Sequence, residues 1–481
     1  MGQRCGKQHG KQHDQPIPKG REESKKAKQS SLHLFFFLSL FSTLCFFFAV
    51  RFLSTLSSSL SFFGDKEIAF YNNYTSHSWH RHSPCSFLSN NSSICCDRTS
   101  YHSDICFMSG DVRTHSHASS VVLYPPSNVT INRNSSAEEK IRPYPRKWEG
   151  IIMDRISELR LRAAAPQDAP HPCDVRHDVP AIFFSAGGYT GNVFHAFNDA
   201  ILPLYITSHR LRRRVVLVVL NYHHWWFIKY REILAGISDY PPIDFSNNTR
   251  THCFPGAVAG LRFHGTLAID PAKLSDETMS MQTFRHMLEE AYNEPKETKP
   301  PRRPKLVVVS RGATRVVENE GEVVQLARAV GFDVEVLRPT DRMPMARVYA
   351  SLSRCDAMMG VHGAALTHFL FMRPGATFIQ VIPLGVKNVA DTCYRDPAVR
   401  AGLRYAEYEV LPRESSLSRK YGADDVVVRD PERVQGKKAW DVTKQVYLEG
   451  QNVTLDIRRL RKTLARVFET VVADRRRQLN L

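Results

Sequence analysis

Lys305-Leu-Val-Val-Val309-Ser310-Arg311 is an uninterrupted apolar run that stops on a hydroxyl and a guanidinium. A continuous run of this kind, without alternation, is the mark of a strand buried on both faces. Downstream, Glu318 to Val330 has helical spacing and is closed by Gly331. Val334-Glu-Val-Leu337 reads as a strand and Met345 to Leu352 as a helix. Ala357-Met-Met359 is a short strand leading into Gly360-Val-His362-Gly363-Ala-Ala-Leu366, which opens a helix to Met372. Pro374-Gly375 ends it, and Ala376 to Ile382 is the next strand. Upstream the same rhythm holds: strands at Ala181–Phe184 and Val215–Leu220, helices at Asn192–Ile206, Trp225–Leu234 and Met279–Tyr292. Alternating β and α segments with apolar strands predict parallel sheets covered by helices. The prolines between Pro295 and Pro304 read as a linker. The expected fold is therefore α/β, with two Rossmann-like domains facing a cleft.

The chain has 481 residues, 42% of them hydrophobic and 23% charged, with a formal net charge of +17. That usage excludes a wholly disordered chain. The surplus is unevenly placed. Residues 1–29 carry eight Lys/Arg against three Asp/Glu, a surplus of five. They precede an uncharged apolar run from Leu34 to Val50, which counted from Leu32 is 19 residues long and is followed by Arg51. A membrane-spanning helix needs ~20 residues. The basic flank on its N-terminal side predicts a cytosolic tail and a luminal remainder, a single-pass type II protein. A cleaved signal peptide is the competing reading, with Ser57 to Ser61 as its cleavage region, but the basic region and apolar run are long for one. Anchoring removes nucleic acid from the partners that a basic chain suggests. The luminal surplus of charge suits an anionic ligand.

Eight of the ten cysteines follow the apolar run, an even number that suits disulfides in an oxidising compartment. Eight cysteines allow 105 pairings, and their spacing offers neither a CxxC nor a zinc site. Seven Asn-x-Ser/Thr sequons, at Asn73, Asn90, Asn91, Asn128, Asn134, Asn247 and Asn452, all fall on the side expected to be luminal. Five of them lie in a Ser-, His- and Asn-rich stretch without sustained periodicity, which reads as a glycosylated stem. The expected layout is tail 1–31, membrane helix 32–52, stem 53–140, a first Rossmann-like domain 141–300, a second Rossmann-like domain 301–430 and a C-terminal helical segment 431–481.

Chemistry concentrates in three places. The turn at His362-Gly363 joins a strand to a helix, where glycine permits close approach and free N–H groups attract phosphate. It fits a ligand turn and a packing turn equally. Arg311 ends a strand, where ligands bind in open α/β sheets. With Arg315 it can clamp a diphosphate, and Asn319 and Glu320 can hold ribose or base. The competing reading is a helix start with arginines on its solvated face. Third, Gly191-Asn-Val-Phe-His195-Ala-Phe-Asn-Asp199 sets His195 and Asp199 four apart on one helical face. Either is a candidate general base, with Asp199 alternatively orienting His195. A buried structural His–Asp pair fits the same spacing. The sequence has no GxGxxG, no Walker A motif and no Asp-x-Asp, so no dinucleotide site, P-loop or carboxylate-held metal is expected.

In this order and spacing, the three blocks resemble plant members of glycosyltransferase family 61. The matching stretches are Gly191 to Thr207, Ser310-Arg311 through Asn319-Glu320, Gly360 to Ala376 running on to Pro383, and a tail block, Tyr447 to Val453 with Arg458 and Arg459. The resemblance implies a GT-B-like fold, with 141–300 as the acceptor domain and 301–430 as the nucleotide-sugar domain, and a Golgi type II membrane enzyme. It implies inverting transfer of arabinofuranose or xylose from a UDP-sugar to xylan, or of β-1,2-xylose to N-glycans, without an obligatory cofactor. Association with other Golgi glycosyltransferases is a further expectation. Ala365, His368 and Ala196 depart from residues frequent in relatives, which bears on donor and acceptor choice. A catalytically silent Golgi scaffold is the reading from a different class, and intact His195, Asp199, Arg311 and His362 speak against it.

Overall fold

The structure, a computed structural model, describes residues 85, 93–124, 138–165, 171–274, 278–292, 302–436 and 439–479. The tail, the apolar run and the sequons at Asn73, Asn90, Asn91, Asn128 and Asn134 lie outside them. No helix among the described residues is long and apolar enough to cross a membrane.

Fifteen strands in the described residues form two sheets of a mixed α/β fold. The first ten are β1 (Ser93–Asp97), β2 (Ile105–His115), β3 (Ser120–Tyr124), β4 (Glu139–Ile141), β5 (Leu159–Ala163), β6 (Val175–Arg176), β7 (Ala181–Ser185), β8 (Val216–Leu220), β9 (Ile243–Asp244) and β10 (His252–Ala259). Their sheet runs β4-β5-β3-β2-β10-β7-β8-β9, with β1 paired to β2 and β6 to β10. Only part of it is the parallel sheet expected. β10, β7, β8 and β9 are parallel, but β2 runs antiparallel to β1, β3 and β10.

β1, β2, β3 and most of β4 come from the stretch read as stem. Compositional bias hid them, because the apolar content of β2 is confined to Ile105-Cys-Phe-Met108 and Val112. Cys96 and Cys106 face each other in the β1–β2 register and are bonded, and Cys85 is bonded to Cys95. A third bond joins Cys173 to Cys253 of β10, which leaves Cys355 and Cys393 as thiols.

The second sheet contains β11 (Lys305–Val309), β12 (Asp333–Leu337), β13 (Ala357–Val361), β14 (Thr377–Ile382) and β15 (Arg404–Glu409). It is parallel throughout, in the order β12-β11-β13-β14-β15. This is a doubly wound order whose strand sequence reverses between β11 and β13, and ligands of such sheets bind outside the strand carboxyl ends at that point. Arg311 follows β11 and His362 follows β13.

The two sheets are not separate bodies: the described residues form one compact unit. A single buried cluster takes Phe184 and Val219 from the first sheet and Val307, Val309 and Phe378 from the second. The segment after Gly363, Ala364–Phe371, is a 3-10 helix rather than the α-helix expected. From Leu366 onward it is buried on every side, so packing between the sheets sets its winding. The C-terminal helix Ile457–Leu479 returns to the second sheet, where Arg475 donates to the buried carboxylate of Asp356 at 2.6 and 3.1 Å.

Candidate functional site

His195 and Asp199 lie where a helix changes pitch. Val193–His195 is α-helical, Ala196–Ile201 is a π-helical segment, and Leu202–Ser208 is α-helical again. Pro203 explains the widening. It offers no N–H to the carbonyl four residues back, and its ring crowds that carbonyl. π segments of this kind recur at functional sites. Asn192 caps the start, its side chain accepting from the Phe194 N–H at 2.9 Å.

Asp199 is completely buried. Its carboxylate accepts from Tyr144 Oη at 2.9 Å, Arg146 Nε at 2.7 Å, Asn198 Nδ2 at 2.6 Å and His195 Nδ1 at 2.8 Å. Burial by itself would raise its pKa. The hydrogen bond from His195 and the Arg146 charge outweigh burial and hold it down at about 2. Asp199 is therefore a fixed anion with both oxygens engaged, not a group open to a ligand. Arg146 completes the charge balance, reaching Glu149 at 2.9 Å as well.

His195 Nδ1 faces two groups: the Asp199 carboxylate at 2.8 Å, which only accepts, and Arg146 Nη2 at 3.0 Å, which only donates. The shorter carboxylate contact favours the tautomer with the proton on Nδ1. Nε2 is left with a lone pair. No hydrogen bond among the described residues engages it, and it is not among the buried polar atoms cut off from solvent. The rest of the ring is covered, with Tyr189 stacked at 4.5 Å and Phe194 edge-on at 5.2 Å. Burial pushes the imidazole pKa down, so the ring is neutral.

The second centre sits at the reversal of strand order. His362 Nδ1 accepts from Gln380 Nε2 at 2.9 Å, and Gln380 Oε1 accepts from Tyr405 Oη at 2.8 Å. Tyr405 thereby fixes the amide, the amide fixes the imidazole, and His362 is left with a donor at Nε2. Burial, followed by the charges of Arg315 and Arg311, lowers its pKa to about 3, so the ring is a neutral donor. Gly363 is required by contact: a Cβ there would stand 2.8 Å from the Arg311 guanidinium carbon.

Arg311 Nε donates to the Thr314 carbonyl at 2.9 Å. Arg315 donates to the Leu448 carbonyl, and its backbone N–H to Gln451 O at 2.9 Å, so the tail block braces this loop. Arg315 Nε is buried without a partner. Burial, then the neighbouring Arg311 charge, lowers the Arg315 pKa to about 10. Among the described residues neither arginine forms an ion pair. Two adjacent guanidiniums, largely withdrawn from water and unmatched by any carboxylate, make a place for an anion.

Two residues expected beside them are engaged elsewhere. Asn319 exchanges hydrogen bonds of 2.9 Å with the backbone of Leu455, and Glu320 pairs with Arg338. The two sequons among the described residues also differ. Asn247 is exposed in a turn, whereas Asn452 is half-buried, with its side chain accepting from Val316 N at 3.0 Å.

One tyrosine joins the two centres. Tyr394 donates to the Gly363 carbonyl at 2.8 Å, lies 5.3 Å from the His362 ring and 5.9 Å from that of Phe194, the neighbour of His195. The Val193–His195 turn packs on Ala364–Phe371.

Sequence reasoning missed Tyr144, Arg146, Gln380, Tyr394 and Tyr405. Only Gln380 carried a signal, as a lone polar residue inside an apolar strand.

Residues 193–379 match the family model described as Glycosyltransferase 61. The chain is similar to the xylan glycosyltransferase MUCI21 of Arabidopsis thaliana, with 44% identity over 92% of each chain. It is 37% identical to the beta-1,2-xylosyltransferase XYXT1 of Oryza sativa subsp. japonica, over 78% of this chain and 83% of that one. It is 34% identical to the alpha-1,3-arabinosyltransferase XAT3 of the same rice, over 78% of this chain and 65% of that one.

Proposed function

This chain belongs to glycosyltransferase family 61, and from that premise we propose that it transfers a pentose, arabinofuranose or xylose, from a UDP-sugar to a xylan-type glycan with inversion. The observation that carries the reading is the unmatched Arg311–Arg315 pair beside the neutral donor His362, at the carboxyl ends of β11 and β13. The names of the relatives supply the sugar class and the acceptor class.

In this reading His195 Nε2 takes the proton of an acceptor hydroxyl as its oxygen bonds to the anomeric carbon. The bond from that carbon to the diphosphate oxygen breaks, and UDP leaves with the electron pair. Arg311, Arg315 and the His362 N–H take up the charge that develops on it. Asp199 touches neither substrate. It holds the His195 tautomer and balances the imidazolium that forms. The apolar run within 32–52 anchors the enzyme in the Golgi membrane with the body in the lumen.

The test is a panel of UDP-sugars offered to the full-length protein with xylo-oligosaccharides and with N-glycans, followed by linkage analysis. The expected result is pentose transfer to the xylo-oligosaccharides from one UDP-pentose. Transfer to N-glycans alone would reassign the acceptor, and transfer to neither would defeat the reading.

A further inference from the structure

The C-terminal helix Ile457–Leu479 carries eight Lys/Arg against two Asp/Glu, a surplus of six. That is half of the surplus of twelve that remains when the five of residues 1–29 are taken from +17. The helix has two unlike faces. Leu460, Leu464, Val467 and Val471 are buried, where the helix packs on β15 and on the helix Glu320–Val330. Arg458, Arg461, Lys462, Arg466 and Arg476 lie off that stripe and are exposed. Among the described residues none of the five forms an ion pair. Asp474 is taken by Arg404 and Arg477, and Asp456, just before the helix, by Arg413. Glu469 is the one acidic residue exposed on the helix. Arg458, Lys462 and Arg466 are four apart, a spacing at which like charges destabilise a helix. Packing of the apolar face offsets that cost, and the fold makes no use of the charges.

We infer that this cationic strip is a docking surface for an acidic polysaccharide, a glycan that bears uronate carboxylates. The inference takes from the proposed function only that the acceptor is a polysaccharide. Arg458, Lys462 and Arg466 recur ~6 Å apart along the axis, and Arg476 carries the strip to ~27 Å from Arg458. A small anion fills one such position. An extended polymer with carboxylates repeated along its length fills several at once, each contact weak and the sum effective. A guanidinium also takes a carboxylate through two parallel N–H donors. The other polyanionic surface open to an anchored protein is a membrane. An interfacial helix binds lipid by burying an apolar face as well as by charge. Here the apolar face is spent on the protein core, and no large hydrophobic residue of this helix is exposed. Charge alone remains, which suits a polymer in solution. A strip that holds one stretch of a polysaccharide keeps the rest of that chain near the site of transfer and raises its effective concentration there.

The experiment measures polygalacturonate binding to the full-length native protein and to two variants by biolayer interferometry. One variant combines Arg461→Gln, Lys462→Gln, Arg466→Gln and Arg476→Gln. The other keeps the charge, with Arg461→Lys, Arg466→Lys and Arg476→Lys. Loss of four exposed contacts predicts that the glutamine variant binds about tenfold more weakly. The lysine variant is expected to bind as the native protein does, and native binding to weaken as salt is raised. Both variants are expected to melt with the native protein, having lost no ion pair. Equal affinity of the native and glutamine-variant proteins would overturn the docking surface. Native binding that salt leaves unchanged would do the same, whether or not a variant folds. Equal losses in both variants would show that charge is not what binds, and capture of phosphatidylserine vesicles without binding of polygalacturonate would replace the glycan by a membrane. The result is independent of the UDP-sugar panel. A native protein that transfers no pentose, yet loses polygalacturonate on the glutamine substitutions, keeps the docking surface and loses the proposed function.

Discussion

The two centres are both buried and both rich in arginine and histidine, yet their charge is handled in opposite ways. At His195 the positive groups are matched: Arg146 meets Asp199 and Glu149, and the histidine donates to the same carboxylate. At His362 no ion pair among the described residues matches Arg311 and Arg315, whose pKa values burial lowers. A balanced centre is complete without a ligand and is suited to a neutral one, such as a sugar hydroxyl. An unbalanced centre is completed only when an anion arrives. In the proposed function, that difference separates the place where a proton moves from the place where a diphosphate is held.

Breaking the balance of the first centre has the largest expected effect. In Asp199→Asn the Arg146 guanidinium loses its fully buried partner, and removal of one member of a buried pair costs about 3–5 kcal/mol. Chemical denaturation should show that loss. Asp199 has a folded pKa of about 2, below the ~3.9 of an ordinary aspartate. Its contribution is complete above pH ~4 and disappears as pH falls towards 2, so the native and variant curves should converge only at the acid end. Transfer should also drop, by ~100-fold or more, because the His195 tautomer is no longer held.

A smaller change sharpens the contrast from the other side. Tyr405→Phe frees the Gln380 amide to rotate and lets His362 present the wrong nitrogen. One hydrogen bond of about 1 kcal/mol corresponds to roughly a fivefold fall in kcat/KM for the UDP-sugar. The acceptor KM is expected to stay where it was. An equal shift in both KM values would show that Tyr405 acts through the fold at large and not through His362.

Much of the second sheet was legible because its strands are buried on both faces and its helices are amphipathic, so period and punctuation agree. The α-helix expected after Gly363 was not found because Leu366–Phe371 are packed on all sides and carry no amphipathic signal. The His195–Asp199 pairing was visible as a spacing of four, but its partners were not. Tyr144 and Arg146 reach Asp199 across more than fifty residues, and no local pattern records such a contact. Asn319 and Glu320 stood close to Arg311 in sequence and were grouped with it. The loop, turning through Arg315 at a positive φ, instead directs Asn319 to the tail segment at Leu455. The strands inside the supposed stem escaped because serine, histidine and asparagine in the segments around them dominate the composition of that stretch.

The central claim is that the uncompensated arginine pair is the seat of the donor diphosphate. Calorimetric titration of UDP into native protein and Arg311→Ala tests it most directly. Arg311 lacks an acidic partner, so the variant is expected to melt with the native protein while its affinity for UDP falls about 100-fold, the loss of a charge-assisted contact of ~2–3 kcal/mol. UDP binding of equal strength in a folded Arg311→Ala would contradict the account.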